Sequence, residues 1–135
     1  MTLAEVLIAL AISGLMVAAI VYGYGYSINS AESFSLSLEA NAQASEQIEE
    51  IRCAPWDSTS SPVIDQVVAS NFPARIVTLD LAGSGSGVTY ATNFIQITVI
   101  SSNPPLKRIR VDCVWAFKNS QLMTNTIETC RAPDQ

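Results

Sequence analysis

The chain has 135 residues, 49% of them hydrophobic and 14% charged, with twelve acidic side chains, seven basic ones and no histidine. This is a greasy composition for a free-standing soluble domain. A net charge of -5 argues against a broadly basic nucleic-acid surface, and the missing histidine excludes Ser-His-Asp, Cys-His and His-ligated metal chemistry.

The charges are unevenly placed. Residues 1–57 hold seven acids and one base, Arg52, whereas residues 58–135 hold five acids and six bases. The two portions are electrostatic complements, which matters if copies of the chain pack together.

Between Glu5 and Glu32 there is no charged side chain, and residues 6–26 form an apolar run of 21. About 20 apolar residues suffice for a helix to cross the hydrocarbon core, so the run predicts a membrane span. Tyr22, Tyr24 and Tyr26 at its far end read as an aromatic belt at the headgroup boundary. A secretory signal peptide needs basic residues ahead of its apolar stretch, but here no Lys or Arg precedes Arg52. The expectation is that a basic leader has been removed and that Met1 is a processed terminus.

Glu5 is the most informative residue of this segment. A carboxylate deep in an apolar helix costs about 2.5–3.5 kcal/mol and needs a partner. With no cationic side chain within 40 residues, the partner is a free α-amino group, that of Met1 or that of an adjacent copy. The alternative is that Glu5 simply lies in the headgroup region.

The stretch Met1-Thr2-Leu3-Ala4-Glu5-Val6-Leu7-Ile8-Ala9-Leu10-Ala11-Ile12 resembles the mature N-terminus of type IV pilins and type II secretion pseudopilins. The likeness covers about 26 residues and rests on Glu5 in an otherwise uninterrupted apolar helix. It implies that a prepilin peptidase cuts the leader and methylates the amine of Met1. It also implies that an assembly platform extracts the subunit from the inner membrane and that Glu5 pairs with the amine of a neighbouring subunit. Met1 stands where Phe is commoner. The proline that many members carry near Tyr22 is missing, leaving Gly14, Gly23 and Gly25 as weak points of the helix.

Beyond the glycines, Ile28, Ala31, Phe34, Leu38, Ala42, Ile48 and Ile51 suggest an amphipathic continuation, residues 27–54, stopping before Pro55. One nearly continuous helix from Thr2 to Ala54 would be roughly 80 Å long. Residues 55–135 supply a small head domain to cover its second half. They begin with a loop at 56–62, followed by strand patterns at 75–81, 94–100 and 108–117, a turn at 118–120 and a last strand at 121–129. The predicted fold is α+β: a long helical spine, membrane-spanning in its first half, with an antiparallel sheet of three or four strands on its second. The Trp-bearing strand and the hairpin after it look more like minor pseudopilins than large major pilins.

The glycine- and serine-rich stretch at 83–87 is neither GxGxxG nor a P-loop and reads as an inter-strand loop. Lys107, Arg108 and Arg110 form a basic cluster suited to an intersubunit contact with acidic helix residues, or to plain solvation, ahead of DNA. Three cysteines give an odd count. A hairpin turning at residue 119 sets Cys113 opposite about residue 125 on the inward face, which favours a Cys53–Cys130 bridge with Cys113 in the core. The alternative, Cys113–Cys130, would resemble the C-terminal loop closure of many pilins. No metal set, cofactor motif or nucleophile motif emerges.

The expectation is therefore a non-enzymatic, polymerising subunit of a pilus-like or pseudopilus filament. Its partners would be copies of itself or related pilins, and it would lie in the inner membrane before assembly and in the periplasm or at the cell surface afterwards. The alternative is a monomeric membrane-anchored extracytoplasmic binding module, which would tolerate Glu5→Ala.

Overall fold

The computed structural model describes residues 2–79 and 88–134, so the Gly83–Gly87 loop and the amine of Met1 lie outside the described residues. An α-helix, α1 (Leu3–Cys53), is followed by β1 (Trp56–Asp57), β2 (Ile64–Asp65), β3 (Arg75–Leu79), β4 (Thr89–Ser102), β5 (Pro105–Phe117) and β6 (Gln121–Arg131). The chain falls into two units, Met1–Ser35 and Leu36–Gln135.

The first unit is helix alone. Its residues from Thr2 to Ala31 are all exposed. α1 is long enough and, over an 18-residue window, apolar enough to cross a membrane.

The second unit has two layers. β3, β4, β5 and β6 form an antiparallel sheet in that order, each strand pairing with its sequence neighbour. Against one face lies the rest of α1, through Leu36, Ala40, Ala44, Ile48 and Ile51, which meet Leu79, Ala91, Ile109, Val111, Cys113 and Trp115. The helix stripe follows the i, i+4 rule, and full burial of each Leu or Ile contributes about 1.5–3 kcal/mol. This corrects the stripe expected from sequence: Phe34 and Leu38 are exposed, and two alanines with no exposed surface, Ala40 and Ala44, occupy the centre. Small side chains there let the helix backbone lie close to the sheet.

The strands follow their period-two pattern. On β5 the odd positions 107–115 are buried and the even ones face away from the helix. β6 is held to α1 from its inward face, where Asn125 Nδ2 donates to the Ser37 carbonyl at 2.8 Å and Arg131 Nη1 to the Ile51 carbonyl at 2.9 Å. β4 is longer than its sequence pattern suggested, and its pairing with β5 slips between Val99 and Ser101.

The segment expected to be a plain surface loop is more structured. β1 and β2 pair, and the buried Trp56 joins the core. The C-terminal residues close onto it: Trp56 N–H donates to Asp134 Oδ2 at 3.0 Å, and Asp134 N–H to the Trp56 carbonyl at 2.7 Å. Lys107, only 7% exposed, is the internal anchor. Its ammonium donates to both Asp65 carboxylate oxygens at 2.7 and 2.5 Å and to the Val67 carbonyl at 2.7 Å, and lies 4.7 Å from the Trp56 ring centre. Lys107 therefore leaves the basic cluster read from sequence, because strand alternation turns it inward while Arg108 and Arg110 face out.

Candidate assembly site on the N-terminal helix

The site begins at the first turn of α1. Four N–H groups at a helix start have no partner inside the helix. Here Thr2 N–H donates to Glu5 Oε2 at 2.7 Å, and Glu5 N–H reaches Thr2 Oγ1 at 3.4 Å. The pair is a reciprocal capping box, and the positive end of the helix dipole adds to the stabilisation of the carboxylate. The other oxygen, Oε1, accepts no hydrogen bond from the described residues.

Sequence reasoning found Glu5 but missed Thr2, although Thr-x-x-Glu ahead of an apolar run is the signature of this cap. The cap gives Glu5 a local role that needs no second copy. It also holds the carboxylate at the outermost turn of the helix, in an ordered position.

Past Glu5 the surface is apolar on every side, with Leu7, Ile8, Leu10, Leu15, Val17 and Ile20 among the exposed side chains. Ser13 Oγ donates to the Ala9 carbonyl at 2.8 Å, which satisfies the hydroxyl without water. A Cβ built on Gly14, Gly23 or Gly25 meets nothing within 4 Å. Nothing among the described residues calls for glycine there, yet each costs about 1 kcal/mol relative to alanine in a helix interior. The tyrosines 22, 24 and 26 are all exposed. At about 100° per residue Tyr22 and Tyr26 share one face of the helix and Tyr24 lies on the opposite one.

The structure joins neither expected cysteine pair: Cys53, Cys113 and Cys130 are all free thiols. Cys113 pairs with Asn125 on the ladder, so Cys130 lies five positions further along β6 and on the opposite sheet face. Five strand residues span about 17 Å, far beyond disulfide reach. Cys53 and Cys130 are kept apart by orientation, since Arg131 is the residue that turns toward Ile51 on the helix and Cys130 points out of the other side of the sheet. The Cys113 thiol is fully buried, and burial pushes it up to about 11, so it remains a protonated core side chain.

Two aspartates outside the helix are held below the ordinary carboxylate range. Asp57 accepts hydrogen bonds from the side chain and backbone of Thr59, and Asp134 from the Trp56 N–H and from Arg131. Both serve turns and closures of the second unit. Among the described residues no three His, Cys, Asp or Glu side chains gather where they would hold a metal ion. Comparison with protein families, characterised proteins and solved structures finds no match.

Proposed function

We propose that this chain is the structural subunit of a type IV pilus-like or pseudopilus filament. It waits in the inner membrane through the first part of α1 and assembles when an export machine extracts it. The observation that carries the reading is a fully exposed apolar helix opened by one ordered carboxylate, Glu5. Packed against the same helix of other copies, that surface exchanges lipid for protein without meeting water. Glu5 then meets the amine of an adjoining copy, and Gly14, Gly23 and Gly25, with open space beside them among the described residues, allow close helix approach. The activity is polymerisation, with a peptidase-processed and methylated Met1 at the contact.

The capping box favours a second reading, a monomeric membrane-anchored binding module, because it satisfies Glu5 within one chain. Glutamine serves as well as glutamate in such a cap but carries no charge. Cells making the full precursor with its processing machinery are therefore sheared, and the subunit is quantified in the released fraction for wild type, Glu5→Gln and Glu5→Ala. The filament reading expects both variants to stay in the membrane. If Glu5→Gln is released as filaments at wild-type level, the carboxylate is a cap and its charge has no part in assembly.

A further inference from the structure

The three cysteines divide by environment: Cys113 is buried, while Cys53 and Cys130 are exposed. Within the Leu36–Gln135 unit the two exposed thiols belong to opposite outer faces. Ile51 marks the side of α1 that is buried on the sheet. Cys53, two residues later, is turned about 200° from it, on the outward stripe that also carries Glu46 and Glu49 at helical spacing. On the sheet, Cys130 points away from the helix beside its ladder partner Arg108. The two thiols therefore point out of opposite sides of the unit, and both are free.

The same two faces differ in charge. The outward helix stripe bears Glu39, Glu46 and Glu49, and Arg52 is already engaged by Glu49 at 2.7 Å. The outer sheet face carries Arg108, Arg110, Asp112 and Glu128, so its charges balance; Arg110 pairs with Asp112 and Glu128, and Arg108 has no ion pair among the described residues. The acidic stripe that ends in Cys53 and the Arg108 side chain beside Cys130 are complementary groups on opposite sides of one body.

We propose that this unit docks head to tail on a second copy, outward helix stripe against outer sheet face, and that Cys53 of one copy forms a disulfide with Cys130 of the next. The inference rests on the filament reading, since such a heterologous contact repeats without closing. The oxidant is an external disulfide, either a small molecule or an oxidoreductase. One cysteine thiolate attacks it, and the second displaces the resulting mixed disulfide. One Cys53–Cys130 bond forms, and the oxidant leaves as two thiols that carry the two protons and two electrons.

The test uses the full chain in sheared filaments, treated with oxidised glutathione, quenched by alkylation and run on non-reducing gels with peptide mapping. The expected result is a ladder of dimers, trimers and larger species that collapses on reduction and contains a Cys53–Cys130 linked peptide. Cys53→Ser and Cys130→Ser should each abolish the ladder, and Cys113→Ser should leave it intact. Filaments with no ladder overturn the inference while leaving the filament reading standing. A product that stops at dimers and survives loss of one exposed cysteine overturns it too, because it marks a symmetric contact. If no preparation yields filaments containing this chain, the reading beneath it fails as well.

Discussion

An ammonium buried in a small protein must bring its counter-charge with it, and Lys107 does so through Asp65, the Val67 carbonyl and the Trp56 ring. The three partners lie in or beside the segment that joins α1 to the sheet, so one side chain fixes that segment to β5. Lys107→Met keeps much of the volume but strands the Asp65 carboxylate, and should destabilise the second unit by about 3 kcal/mol. Both tryptophans of the chain lie in this core, so Trp fluorescence during denaturation in detergent measures the effect. Asp134 gives a second handle. Its carboxyl is held below the unfolded value of 3.8, first by the Trp56 N–H and then by Arg131, so its contribution is present above that value and is lost as pH falls through the lowered one. Acid titration of the same fluorescence should show stability falling below about pH 4, and Asp134→Asn should make that fall shallower. Asp57, lowered by Thr59, keeps part of the slope in the variant.

At the scale of the element, α1 shows what sequence periodicity resolves and what it does not. Its start, its end before Pro55 and the apolar span of its first part were legible, because they depend on composition and on proline alone. The buried stripe of its second part was not, because Ala40 and Ala44 carry little hydrophobic signal and gain their importance only from closeness to the sheet. Ala44→Leu should therefore overpack that contact and cost about 1–3 kcal/mol in the same denaturation assay, whereas Ala42→Leu on the exposed side should be nearly neutral. The sheet was legible in its main strands and in the placing of Cys113 opposite Asn125, since alternation and a short turn fix register. β1, β2 and the C-terminal closure left no periodic trace: they are two-residue strands and single hydrogen bonds made at sequence separations that only the folded chain brings together. Lys107 was misplaced for a related reason, because reading three cations as a cluster ignored the alternation of the strand that carries them.

For the whole molecule, the two units answer to different surroundings. The Leu36–Gln135 unit buries its own core. The first unit is exposed from Thr2 to Ala31, and α1 is long and apolar enough there to cross a membrane. In the proposed function these are two stages of one life, with the capping box ordering Glu5 in the first and the neighbouring amine meeting it in the second. The most direct measurement is a helical reconstruction by electron cryomicroscopy of filaments sheared from cells that make the full precursor, with the subunit identified by mass spectrometry. The account predicts first-unit helices packed along the filament axis, with each Glu5 carboxylate within hydrogen-bond distance of the amino terminus of an adjoining copy. Released filaments that never contain this chain, while it remains monomeric in the membrane fraction, would contradict it.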